Sequence, residues 1–160
     1  YTCANREKRV AKQLLWRGVE HFLPLYGSVR RWKDRRVHQQ LPLFPGYVFV
    51  HFALRDRLEV LQIPRVVRLV GFNAHPAALP EHEIASIREF LAAGRYAEPH
   101  PFLQTGRRAR IRSGPLRGLE GILVRRKGAW RFVLSLDLIQ RSIRVDVDTA
   151  DLEAVTTRKE

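Results

Sequence analysis

The sequence predicts an α+β chain in two parts, a sheet flanked by helices followed by a small β-barrel. Three observations lead there. Strand-like and helix-like stretches alternate through the first part of the chain, the pattern of a sheet covered by helices. "RYAEPHPFLQTG" (95–106), with Pro99 and Pro101, then reads as a linker. Beyond it the apolar period changes to two with no helix signal, which is how a small barrel is written. The expected parts are residues 1–94, the linker 95–106 and residues 107–155.

Each element follows in order. "YTCA" is the tail of a strand. Asn5 is placed to cap a helix over 6–17, with Val10, Ala11, Leu14 and Leu15 as its buried stripe and Gly18 as its stop. "VEHFLPLY" (19–26) is a strand. "GSVRRWKDRRVHQQ" (27–40) reads as a protruding basic hairpin in which Arg30, Arg31, Lys33, Arg35 and Arg36 surround Trp32. "LPLFPGYVFVHF" (41–52) gives a Pro-Gly bend and a β-prone strand, Tyr47, Phe49 and His51 pointing one way and Val48, Val50 and Phe52 the other. "RDRLEVLQI" is a short helix ended by Pro64, "VVRLVGF" (66–72) a strand, and Pro80 opens a helix carrying Ile84, Ile87 and Leu91 up to Gly94. In the last part Ala109 and Ile111, then Ile122 and Val124, alternate with other residues; Trp130, Phe132, Leu134 and Leu136 share a face, as do Ile143, Val145 and Val147.

Charge narrows the partners. The chain of 160 residues has a formal net charge of +13. Residues 1–40 contribute +7 and residues 101–160 +6, with a neutral stretch between them. Two separate basic patches need acidic partners, and nucleic acid is the usual one. Cys3 is the only cysteine, so no intrachain disulfide or cysteine-based zinc site forms, and a reducing cytoplasm suits the chain. No apolar run approaches the ~20 residues of a membrane helix. The histidines lack metal-ligand spacing, no nucleophile motif is present, and no catalytic residue, metal or cofactor is expected. Asp146, Asp148 and Asp151 are close acids, but alternation puts the first two on a solvated strand face.

The glycines of "RIRSGPLRGLEGILVRR" pose the sharpest question. A phosphate loop needs a Lys-Ser or Lys-Thr pair opening a helix; here "ILVRR", a strand, follows the last glycine, so the glycines make turns. "SGPLRGLEGILV", through Gly114, Pro115, Gly118 and Gly121, resembles the KOW motif of an SH3-like barrel. "LPLFPGYVFV" resembles the core signature of the NusG amino-terminal domain, and "YTCANREKRVAKQLLWRGVEHFLPLY" its first strand, helix and second strand. The whole chain is thus similar to the NusG/RfaH-type elongation factors, with wording like that of the specialised UpxY-type antiterminators. Family members begin with an apolar strand bearing a Trp-Tyr pair, and this sequence starts partway along it.

The resemblance implies an antiparallel sheet flanked by helices in the first domain, and a monomer that binds the clamp helices of RNA polymerase and suppresses pausing and termination. It implies that Phe44, Pro45, Gly46 and Tyr47 form the polymerase anchor, bordered by Leu69, Ile84 and Ile87, with Asp56 and Arg57 facing the opposite wall of the cleft. The residues alone favour a core role for Phe44 and Tyr47, and leave Ile84 and Ile87 open to core and interface alike. Arg6, Lys8, Arg9 and Lys12 on the first helix, with Arg30, Arg31, Trp32, Lys33, Arg35 and Arg36 in the hairpin, are candidates for contact with DNA of the transcription bubble; a solvated basic face is the alternative. Nascent RNA is a further partner, and the barrel is the expected site for ribosomal NusE or Rho. The competing reading is a KOW-containing, ribosome-associated or structural RNA-binding protein. Interior glycines and Pro115 oppose a helix through 114–128, each glycine by about 1 kcal/mol and the proline by about 3.

Overall fold

The computed structural model describes residues 1–32, 34–103, 106–126 and 129–155. Lys33 lies outside the described residues, as does the side chain of Trp32. The chain divides into two compact units, Tyr1–Ala77 and Ala78–Glu160.

In the first unit, helix α1 (Glu7–Trp16) buries Val10 and Leu14, one turn apart. Leu15 lies a further 100° round the helix and is 66% exposed, so it leaves the expected stripe. Asn5 does not cap: it is left-handed (φ 58°), and Arg6 takes the cap position without a side-chain bond. Gly18 ends the helix in the left-handed region as expected. The expected strand 19–26 breaks into β1 (Glu20–Phe22) and β2 (Leu25–Trp32) around Pro24, whose carbonyl accepts the Leu43 N–H at 2.8 Å. β2 and β3 (Arg35–Pro42) form a long antiparallel ribbon, from Leu25 opposite Pro42 to Trp32 opposite Arg35.

β4 (Phe49–His51) pairs antiparallel with β1. Its two faces meet different layers. Val48, Val50 and Phe52 pack on the core cluster of Val10, Leu14, Val60 and Ile63. Phe49 turns to the other side, stacked on Phe22 and edge-on to Phe44. A 3₁₀ turn (Leu54–Asp56) leads into α2 (Arg57–Leu61), which contributes Val60 to the cluster. Of the expected strand 66–72, Val66 bridges Thr2, while β5 (Gly71–Phe72) turns back onto β6 (His75–Pro76). Asn73 and Ala74 both have positive φ, the geometry of a tight two-residue hairpin.

The second unit begins with α3 (Glu81–Ala92), which the sequence had placed in the first domain. Its buried residues are Ile87 and Phe90. The sheet that follows contains β7 (Ala97–His100), β8 (Arg107–Ile111), β9 (Glu120–Arg126), β10 (Ala129–Leu136), β11 (Arg141–Val145) and β12 (Leu152–Ala154). All pairings are antiparallel, in the order β12-β8-β9-β10-β11-β7. β7 lies inside the expected linker. An edge strand tolerates proline because one of its sides makes no ladder bonds, and Pro99 sits there opposite Ile143. Glu98 meets Arg144 at 3.1 Å, and Ser135 Oγ donates to the Leu103 carbonyl, fixing the segment further. On β10 the consecutive residues Phe132, Val133 and Leu134 are all buried, so this strand is covered on both faces and not on one, as simple alternation implied.

Candidate partner and nucleic-acid surfaces

The "FPGY" bend is held from three directions. Gly46 has φ +88°, which an L side chain rarely adopts, and a Cβ there would stand 3.1 Å from the Tyr1 ring. Its N–H donates to Glu7 Oε1 at 2.7 Å, and its carbonyl accepts the Thr2 N–H at 2.8 Å. Glu7 is buried, and its place in the first turn of α1 lets the helix N-terminus share its charge. Helix α1 is thereby tied to the bend through one carboxylate.

That clamp sorts the two aromatics. Phe44 is 1% exposed, its ring 5.4 Å from Phe49 at 87°. It takes the core alternative: a side chain so buried offers no surface to a partner. Tyr47 is half-buried and meets Tyr1 at a ring distance of 5.4 Å. Tyr1 is 40% exposed, and the Arg68 guanidinium lies 5.8 Å from its ring. Exposed Val67, whose N–H donates to the Tyr1 carbonyl, adjoins them. Tyr47, Tyr1, Val67 and Arg68 therefore make an aromatic shelf beside exposed Pro45. Leu69 turns inward against the core cluster. Asp56 pairs with Arg55 at 3.8 Å, and Arg57 opens α2 exposed. Ile84 is half-buried and Ile87 buried, both in the second unit.

A basic groove lies along α1. Arg9, Lys12, Gln13 and Trp16 fall at i, i+3, i+4 and i+7, one face of the helix. With Arg17, Pro64 and Arg65 they line an open groove of about 700 Å³. Trp16 is 72% exposed, with Lys12 Nζ 5.0 Å from its ring, and Arg17 donates to the Glu59 carbonyl at 3.1 Å. Arg65 has φ 81°, unusual for a bulky residue. Of the expected helix cations, Arg9 and Lys12 line this groove; Arg6 and Lys8 are exposed outside it. Trp16, Arg17 and Arg65 were not anticipated, although the spacing from Arg9 to Trp16 was there to be read. In the ribbon, Arg31 stands directly opposite Arg36, a like-charge pair that costs stability unless an anion joins it.

In the second unit the KOW-like residues form a turn. The Arg117 N–H donates to the Gly114 carbonyl and the Gly118 N–H to the Ile111 carbonyl at 2.8 Å. The Gly118 amide is thus engaged by backbone and is not turned to a phosphate. Pro115 is half-buried beside buried Leu116. Gly121 has a steric role: a Cβ would stand 2.5 Å from both the Phe132 ring and the Val133 carbonyl oxygen. Glu120 accepts from Arg110 at 2.5 Å and from Arg108 at 3.1 Å, and these bonds hold its carboxyl below the usual range. Among the described residues, no three His, Cys, Asp or Glu side chains are grouped as metal ligands, and no helix is long and apolar enough to cross a membrane.

The family model for "Transcription termination factor nusG" matches residues 1–88, more than half of the chain. The chain belongs to the NusG family. Two transcription termination/antitermination proteins NusG, from Helicobacter pylori strains J99 and 26695, are each 35% identical to it. The alignments run over 85 and 75 residues, 52% and 46% of this chain and 48% and 43% of those proteins. The chain thus spans about half the length of the curated relatives it matches. A structure of Thermotoga maritima NusG, described for its domain interaction, covers 97% of this chain and is covered over 94% of its own, with a TM-score of 0.60 at 19% identity. That likeness shows the fold, an α+β arrangement with a β-rich second part. The NusG family consists of transcription factors rather than enzymes.

Proposed function

We propose that this chain is a transcription elongation factor that binds RNA polymerase at the clamp helices and suppresses pausing and termination, as a specialised antiterminator paralog. The aromatic shelf carries the reading. A Pro-Gly bend pinned by a buried carboxylate carries half-buried Tyr47 against exposed Tyr1, and aromatic anchors of this kind dominate interface energies. The α1 groove and the β2–β3 ribbon then serve the DNA of the transcription bubble: exposed Trp16 can stack on an unpaired base while Arg9, Lys12, Arg17 and Arg65 neutralise phosphates. Asp56 and Arg57 are assigned to the opposite wall of the polymerase cleft, and Leu69, Ile84 and Ile87 support their own units. The barrel recruits ribosomal NusE or Rho, and the protein acts in the cytoplasm as a monomer.

Retention on purified core RNA polymerase tests the assignment. Tyr47→Ala is expected to weaken binding by at least about tenfold, since a central aromatic is worth roughly 2 kcal/mol or more, while far-UV circular dichroism stays that of the parent. Parent-level retention of the folded variant would remove the shelf from the interface.

A further inference from the structure

The sheet of the second unit ends in β12 on one side and β7 on the other. β7 comes from the segment that the sequence reads as a linker. It covers the outer edge of β11 with four residue pairs, from Val145 opposite Ala97 to Ser142 opposite His100. Without that cover, Arg141–Val145 would turn main-chain N–H and C=O groups outward, the condition for taking up another strand.

Two features make β7 a poorly matched cover. The first is its backbone. Pro99 and Pro101 have no N–H to give to either side. Past His100 the hold on the segment passes to hydroxyls: Ser142 Oγ accepts the Leu103 N–H at 3.1 Å, and Ser135 Oγ donates to the Leu103 carbonyl at 2.7 Å. The second is its ion pair. Glu98 divides its carboxylate between the Tyr96 hydroxyl, at 2.8 Å, and a terminal nitrogen of Arg144, at 3.1 Å. Arg144 Nε is buried and, among the described residues, meets no acceptor. A carboxylate presented side-on would accept from Nε and a terminal nitrogen together, the paired geometry that a guanidinium favours. Next to that position Ala97 is 1% exposed, so the edge accepts a small side chain there.

We propose that the β11 edge is a docking site for an extended, acidic segment of a partner protein, and that β7 is its built-in competitor. The incoming segment adds to the sheet through main-chain bonds, sets a small residue opposite Val145, and follows it with a Glu or Asp against Arg144. The ladder requires peptide amides, so this edge selects protein over nucleic acid. β10 separates it from β9 and the glycine turn. The inference rests on neither the polymerase shelf nor the assignment of ribosomal NusE or Rho to the barrel.

The test uses the full chain and a fluorescein-labelled peptide that copies residues 95–103 with Pro99→Val and Pro101→Val, restoring the missing N–H groups. By fluorescence anisotropy, the chain carrying Glu98→Ala should bind this peptide about fivefold more tightly than the parent, because a weakened tethered strand competes less. Adding Arg144→Gln to that chain should lower the affinity about tenfold, the scale of one lost charge-assisted pair. Glu98→Gln in the peptide should cost the same. Amide nitrogen–proton spectra should place the peptide-induced shifts in Arg141–Val145 and leave those of β12 unchanged. Should Glu98→Ala disturb the sheet, Ser135→Ala, which releases only the Leu103 end of the segment, takes its place with the same expected direction. Equal peptide affinity of the parent and both folded variants, undiminished binding of the Glu98→Gln peptide, or shifts centred on β12 would each overturn the proposal.

Discussion

The two units spend their apolar residues in opposite ways. Among the described residues, six buried hydrophobic side chains belong to Tyr1–Ala77 and fifteen to Ala78–Glu160. The exposed large hydrophobics divide the other way, nine to two. The first unit leaves Tyr1, Leu54, Leu58, Leu61, Val67 and Phe72 in water, and holds its bend with a buried carboxylate. The second encloses its own core between strands. A unit that buries little and exposes much is built to be completed by something else, whereas one with a full core can carry function on its rim. That difference supports the first as the docking unit and the second as a self-sufficient module.

The contrast breaks most visibly at Gly121. An alanine there would place its Cβ against the Phe132 ring and the Val133 carbonyl oxygen; the ring can turn, the backbone cannot. Gly121→Ala should therefore destabilise the second unit by about 3 kcal/mol, the upper range of overpacking. Urea denaturation followed by near-ultraviolet circular dichroism should show a lowered transition for that unit. The first unit's transition should stay where it was. A common shift of both would mean that the first unit borrows its stability from the second.

A smaller loss is expected at Glu7. Glu7→Ala leaves the Gly46 N–H buried without its acceptor, at a cost of about 2 kcal/mol. Glu7→Gln keeps an acceptor oxygen and loses only the charge, so its cost should be about half. Thermal unfolding of the three proteins should give that order, and retention on core polymerase should fall in step, because the bend that positions Tyr47 loosens. Equal stability of the alanine variant and the parent would show that the carboxylate does not hold the bend.

Much of this was readable in the sequence, and the failures have physical causes. The helix 6–17 was legible because Val10 and Leu14 repeat at one turn and Gly18 stops it; the barrel strands were legible through their period of two. Phe44 and Tyr47 flank the same Pro-Gly pair, and nothing local tells them apart. Phe44 is buried because Phe49 and Phe22 supply a second apolar layer beyond β4, which only the folded chain brings together. Glu7 gives no local signal, since its partner lies 39 residues away. Prolines argued for a linker at 95–106, yet an edge strand accepts them. The groove residue Trp16 has a visible spacing signal, whereas Trp130 shares the alternating face of Phe132, Leu134 and Leu136, and its exposure depends on where that buried stripe ends.

The smallest effect expected is at Glu83, and it tests whether the second unit tolerates charge at its margin. Glu83 shares a polar cavity with His82, Arg108, Ser135 and Asp137. Burial, reinforced by the negative charge of Asp137 and opposed by His82, raises its carboxyl above the usual value. In acid the group is neutral in both folded and unfolded chains and costs nothing. As pH rises through the ordinary carboxylate range the unfolded chain ionises first, so stability falls until the folded carboxyl has ionised too. Glu83→Gln removes that penalty. Its melting temperature should match the parent's near pH 3 and exceed it at pH 7, by a small margin because the side chain is only partly buried and water screens it. A melting-temperature difference that is constant across this range would show that the gain, if any, comes from packing and not from the carboxylate's charge.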